Sequence, residues 1–119
     1  LPVSAPFHCS LMKSAAELMK NKITSVNFKD PKIEIISNVT ASPEKNSTNI
    51  KKLLIDQIFS KVRWRESIIN MSKNGITHFV EVGPGKVLSG LVKRIEKNLF
   101  SASINSIEDI KEYTNEFKK

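Results

Sequence analysis

Between Ile76 and Ile95 the chain reads ITHFVEVGPGKVLSGLVKRI, and its apolar positions change period midway. Ile76, His78, Val80 and Val82 fall on one side at period two within a nearly continuous apolar run, the pattern of a strand covered on both faces. Gly83-Pro84-Gly85 breaks that run. Val87, Leu88, Leu91, Val92 and Ile95 then recur at helical spacing, with Ser89, Lys93, Arg94 and Glu96 outside the stripe. A strand that enters a helix through two glycines predicts an α/β protein. Glycines at a helix start either permit close packing at a turn or cradle an anion. Phosphate loops and dinucleotide fingerprints need more glycines at other offsets, which favours packing.

The same reading places the other elements. Pro2 and Pro6 keep residues 1 to 9 extended. Ser10 is a candidate N-cap for a helix over Leu11–Lys20, with Leu11, Met12, Ala15, Ala16 and Met19 on one face and the methionines as core filler. A linker rich in Lys and Asn runs through Asp30-Pro31 to Lys32–Val39, whose β-branched content predicts a buried strand. Asn38, at its carboxyl end, is either a turn device or a ligand contact, since α/β proteins place ligands at strand carboxyl ends. Residues 41 to 49 read as a loop around Ser42-Pro43. Thr48 or Asn49 then caps a helix over Asn49–Phe59 with Ile50, Leu53, Leu54 and Ile58 inward.

Gln57 lies on that same stripe. A glutamine on an apolar face must find partners: held by a neighbouring backbone it is structural, pointed into a cleft it is functional. Trp64, Ile68 and Met71 anchor a helix over Arg65–Lys73, and the Trp64 indole N–H needs an acceptor. A strand over Thr77–Val82, a helix over Val87–Asn98 and a short strand over Phe100–Ile104 follow. Ser106 with Asp109 starts a final helix, Ile107–Phe117, with Ile107, Ile110, Tyr113 and Phe117 on one face.

Composition narrows the class. A chain of 119 residues forms at most one domain with a modest core. No run approaches the roughly 18 apolar residues of a membrane span, and no basic-then-apolar leader opens the chain. A soluble, cytoplasmic protein without a membrane partner is the expectation. One cysteine, Cys9, excludes an internal disulfide framework and fits a reducing compartment. The net charge is +7, but the lysines are scattered and no Lys/Arg block is interleaved with aromatics, so nucleic acid is not expected. A solvated Lys-rich surface explains the charge, as does a basic face for an acidic partner or an anionic cofactor. The first residue is Leu1, not Met, so the chain reads as already in progress: a processed product, a trimmed piece or a non-standard start.

Reactive groups are few. The two histidines and one cysteine match no zinc spacing, so no metal is expected. His78 sits in a strand pattern among apolar neighbours, as a core histidine does. His8 lies instead in a proline-bounded loop before a helix, where a neutral imidazole acts as general base or acid near neutral pH. Cys9 is adjacent, but neighbours in an extended loop point apart, which argues against a Cys/His dyad. No serine sits in a G-x-S-x-G elbow, so a histidine base here lacks a nucleophile to activate.

Four ordered blocks carry a resemblance over about Leu1 to Asn105. LPVSAPFHCSLMKSAAELM resembles the segment of malonyl-CoA:acyl-carrier-protein transacylases that supplies the catalytic histidine. SNVTA, then Gln57 followed by VRWRESI, then FVEVGPGKVLSGLVKRI resemble later blocks of that family in the same order. Polyketide synthase acyltransferase domains share the histidine block and a valine-arginine-aromatic block, but GPGKVLSGLVKRI is more similar to the discrete bacterial fatty-acid enzyme. Lys61 stands where proline is usual and Ala5 where glycine is common.

The resemblance implies an α/β fold: the C-terminal portion of an α/β-hydrolase-like parallel-sheet acyltransferase core, over residues 1–105, with the nucleophile elbow and ferredoxin-like subdomain absent. Residues 106–119 would be a polar amphipathic helix or tail. It further implies that His8 is the catalytic base, that the backbone carbonyl of Gln57 orients it in place of a triad carboxylate, that Asn38 lies near the substrate, and that Gly83 and Gly85 form a structural loop near the site. The reaction implied passes a malonyl group from coenzyme A to a serine and on to the phosphopantetheine thiol of acyl carrier protein. No cofactor would be held permanently; malonyl-CoA is the substrate. Acyl carrier protein would be the partner, with a separately encoded amino-terminal half carrying the G-x-S-x-G serine as a second. Two other readings stand beside this one: an inactive remnant or split-gene half, and a small basic binding module. An unpaired sheet edge, exposed apolar surface and self-association are expected of such a portion.

Overall fold

The structure, a computed structural model, describes residues 6–116. The expectations that involve Leu1, Pro2, Val3, Ala5 and Phe117 lie outside the described residues. Two compact units are present, one running to Ser67 and the other beginning at Ile68.

In the first unit a 3-10 turn over Ser10–Met12 leads into α1, Lys13–Ser25. The helix runs five residues beyond the expected end at Lys20. Thr24 and Ser25 do not break it, because their hydroxyls donate to the carbonyls of Lys20 and Lys22 on its own last turn. Ser10 is not the cap; it is the first residue of the 3-10 turn, which Cys9 precedes in an extended conformation.

The expected strand over Lys32–Val39 is corrected to two residues. β1, Ile35–Ile36, pairs antiparallel with β2, Pro43–Glu44, inside the stretch that reads as loop. The chain turns back because Ala41 N–H bonds to Ser37 O at 2.8 Å and Ala41 takes a left-handed φ of 56°. Nor is the strand buried: Ile33 is 82% and Ile35 47% exposed. The parallel-sheet expectation therefore fails in this unit.

α2, Ser47–Phe59, packs against α1 and buries Ile50. Its cap is neither Thr48 nor Asn49 but Asn46, whose side chain accepts from Asn49 N–H. The Asp30 carboxylate accepts from Ser47 N–H at 2.7 Å, so two side chains satisfy the first turn of α2.

α3, Trp64–Lys73, is divided between the units and contains Ile68, which is fully buried. In the second unit β3, His78–Val82, and β4, Phe100–Ile104, pair in parallel from His78 opposite Phe100 to Val82 opposite Ile104. α4, Val87–Ile95, is the crossover that parallel pairing requires, and it touches both strands. It ends three residues before the expected Asn98. α5, Ile107–Glu116, lies against β4. Ser106 and Asp109 form the capping box that starts it: Asp109 N–H bonds to Ser106 Oγ and Ser106 N–H to Asp109 Oδ2.

β3 is not covered on both faces. Phe79 and Glu81 are half-buried, whereas His78, Val80 and Val82 are exposed, Val82 by 78%. His78 is thus corrected from a core histidine to an exposed one, its Nδ1 2.8 Å from Thr77 Oγ1 and its ring tilted against Phe100. Together with Val87 and Ile107, at 71% and 67% exposed, the second unit shows the uncovered apolar surface anticipated above.

Candidate functional site

Two of the predicted site residues meet directly. His8 Nδ1 lies 2.8 Å from the carbonyl oxygen of Gln57. A carbonyl only accepts, so Nδ1 carries the proton and the lone pair of the neutral ring sits on Nε2. His8 is exposed, and its Nε2 meets no partner among the described residues.

Both ends of this contact follow from local backbone. Gln57 is in the last turn of α2, where carbonyls lack an intrahelical donor; Ser60 N–H takes the carbonyl of Asp56, leaving that of Gln57 for the imidazole. The helix terminus also presents the negative end of its dipole, which stabilises positive charge developing on the ring. His8 has a φ of 56°, a left-handed conformation that costs about 1–2 kcal/mol in an L-residue. Cys9 takes no part: its Sγ donates to Pro6 O at 3.1 Å, and the extended loop expected here is instead a turn at Phe7-His8.

Gln57 also lines a small apolar cleft of about 60 Å³ with Ser37, Glu44, Ile36, Ile50 and Leu53. Asn38 follows Ser37 in the tight turn, and its side-chain amide makes no hydrogen bond among the described residues. Its backbone is held from outside. Arg63 N–H bonds to Asn38 O at 2.9 Å and Arg63 Nη1 to Thr40 O at 3.2 Å, so one arginine ties two carbonyls of the turn. The Arg63 side chain also faces Glu66 across 3.6 Å. Periodicity did not single out Arg63, although it lies in the VRWRESI block that carries the resemblance, because a main-chain N–H and a guanidinium acting on distant backbone carbonyls leave no periodic signal.

Gly83 and Gly85 belong to the second unit, with φ of 133° and 102°. The anion that a glycine turn at a helix start attracts is already supplied by the protein. Glu81 on β3 places one carboxylate oxygen 2.8 Å from Ser89 N and the other 3.2 Å from Leu88 N, at the start of α4. The Ser89 N–H, and after it the Leu88 N–H, holds the Glu81 carboxyl below the usual glutamate range. Sequence reading missed Glu81, although a signal existed. Lys86, at the N-cap of α4, offers no capping acceptor, so the helix amides had to find one elsewhere. Trp64 Nε1 is buried and meets no acceptor among the described residues, leaving the expected partner unidentified. No group of three metal-ligating side chains occurs among the described residues, and no described helix is long and apolar enough to cross a membrane.

No protein-family model matches the sequence. Individual relatives do. The chain is 44% identical over 110 residues to the malonyl CoA-acyl carrier protein transacylase of Bacillus subtilis, matching 92% of this chain and 35% of that protein. The crystal structure of acyl-carrier-protein-S-malonyltransferase from Bartonella henselae superposes with a TM-score of 0.92 at 41% identity, covering 100% of this chain and 38% of that one. A type II PKS acyl-carrier protein in complex with its malonyl-transacylase matches with a TM-score of 0.90 at 33% identity, covering 98% of this chain and 38% of that one. The chain thus spans a little over a third of the length of these relatives, to which it is homologous over nearly all of its own.

Proposed function

We propose, from that homology, that this chain carries the histidine portion of a malonyl transfer from coenzyme A to the phosphopantetheine thiol of an acyl carrier protein. The observation that carries the reading is the contact between His8 Nδ1 and the Gln57 carbonyl, which leaves Nε2 as the basic atom, unpartnered among the described residues. In the proposed reaction Nε2 removes the proton of a serine hydroxyl as that oxygen attacks the malonyl thioester. The imidazolium then returns the proton to the departing thiolate of coenzyme A. In the second half the histidine deprotonates the carrier thiol and reprotonates the serine. The Gln57 carbonyl keeps the ring in one tautomer throughout, the task a carboxylate performs in a Ser-His-Asp triad.

The serine lies outside these 119 residues, which contain no G-x-S-x-G elbow. We assign it to a segment equivalent to the first two thirds of the relatives, whether or not separately encoded. The chain alone is therefore expected to lack transacylase activity. Asn38, whose amide makes no hydrogen bond among the described residues, is proposed to face substrate, and the Gly83–Gly85 turn to support the site structurally. Malonyl-CoA is a substrate and no cofactor is bound permanently. The net charge of +7 complements the phosphates of coenzyme A and an acidic carrier. The setting proposed is cytoplasmic fatty-acid biosynthesis.

Co-expression with the amino-terminal two thirds of the Bacillus subtilis relative tests the assignment of partners. The two polypeptides should co-purify through affinity and size-exclusion steps. Failure to associate would count against the reading.

A further inference from the structure

We propose that His8 is itself a nucleophile toward activated acyl esters, giving this chain on its own a slow aryl-ester hydrolase activity. The inference rests on the geometry of His8 and not on the malonyl-transfer reading. Three features combine there. The Gln57 carbonyl fixes the proton on Nδ1 and leaves the Nε2 lone pair unshared among the described residues. The ring is exposed, so an ester reaches Nε2 without an opening motion. Finally, the bond partner is a carbonyl in the last turn of α2, where helix carbonyls lack intrahelical donors, at the negative end of the helix.

The reaction balances without a co-reactant other than water. The Nε2 lone pair attacks the ester carbonyl carbon, an Nε2–acyl bond forms, and the carbon–oxygen bond to the aryloxide breaks as that group leaves with its electron pair. The product is an acyl-imidazolium whose Nδ1–H still donates to the Gln57 carbonyl. That charge-assisted bond is stronger than the one in the neutral ring, so it favours the charged species over free enzyme. Water then adds to the acyl carbon, the Nε2–acyl bond breaks with its electron pair returning to Nε2, one water proton leaves with the carboxylic acid and the other passes to solvent, balancing the aryloxide released earlier and regenerating the neutral Nδ1–H tautomer.

His78 is an internal comparison. It too is exposed, and its Nδ1 lies 2.8 Å from the hydroxyl of Thr77, a group that both donates and accepts. It stands at the beginning of β3, not at a helix end. The two histidines therefore present the same exposed ring at the end of a helix and at the start of a strand.

The test uses the chain alone with p-nitrophenyl acetate, following p-nitrophenolate release and mapping acetylated peptides by mass spectrometry. Release should continue past one equivalent per chain, His8→Gln should lower the rate several-fold, and His78→Gln should leave most of it. Cys9→Ser removes the neighbouring thiol, whose Sγ is turned to Pro6 O, and should retain the rate, which separates the imidazole from a thiol nucleophile; circular dichroism of each variant checks the fold. Rates in His8→Gln equal to the parent, release that stops at one equivalent, or acetyl groups confined to His78 and lysines would overturn the proposal. None of these outcomes depends on malonyl transfer, which fails or succeeds separately in the co-expression experiment.

Discussion

His8 and Gln57, 49 positions apart, are joined by a 2.8 Å contact from an imidazole Nδ1 to a main-chain oxygen. The consequence is that the glutamine's side chain is dispensable for orienting the ring, whereas its position at the end of α2 is not. Gln57→Ala should preserve the Nδ1–H tautomer of His8 in the chain, read from the imidazole nitrogen shifts by NMR. A switch to the Nε2–H tautomer in that variant would show that the amide side chain, not the carbonyl, holds the ring.

The second relationship, Glu81 with the start of α4, predicts how the fold responds to acid. The carboxyl of Glu81 is held below its usual range by the Ser89 and Leu88 amides. Asp109 is lowered too, first by Asn105 N–H and then by Ser106 N–H. A folded-state value below the unfolded one means that the stabilisation is present above about pH 4.3, the unfolded glutamate value, and is lost as pH falls through the folded value. The melting temperature should therefore drop on acidification from about pH 5 towards pH 3. Glu81→Gln should lower it at neutral pH and flatten that dependence. A variant with the parent's full acid sensitivity would remove Glu81 from the account.

Stability variants separate packing from backbone strain. Ile68 is fully buried, and Ile68→Ala should cost about 2–5 kcal/mol. Gly85 has a φ of 102°, yet a Cβ placed there would meet nothing within 4 Å. Gly85→Ala should therefore cost only the conformational penalty, about 1–3 kcal/mol. Urea titrations of both variants measure the two numbers. A neutral Gly85→Ala would mean that the turn relaxes to a negative φ.

Exposed apolar side chains on β3 predict association. Val82 is 78% exposed on a strand whose partner covers only one edge, so the chain should self-associate at raised concentration. Val82→Lys should shift sedimentation towards monomer. Unchanged sedimentation of a monomeric parent would contradict the expectation.

The region from β3 to α4 was legible because its apolar period switches from two to 3.6 around two glycines, and the observed bounds differ from the expected ones by a few residues. The stretch Lys32–Val39 was misread because β-branched composition reports a tendency to be buried, whereas Ile33 and Ile35 are exposed here and only two residues find a partner strand. His78 was misjudged for the same reason: alternation says which residues share a face, not whether that face is covered. The pairing of His8 with Gln57 was invisible to spacing, since a main-chain carbonyl carries no side-chain signature; only the resemblance pointed to it. Glu81 was legible in retrospect from the missing cap at Lys86.

The central claim is that His8 serves as base for a serine that this chain does not carry. Labelled malonyl-CoA and acyl carrier protein, incubated with the chain alone and with the chain joined by the amino-terminal portion of a relative, test it most directly. The account predicts no labelled carrier with the chain alone, transfer on reconstitution, and a loss of roughly 10²–10⁴-fold in His8→Ala. Enzyme-like transfer by the chain alone, or full transfer by the reconstituted His8→Ala variant, would contradict it.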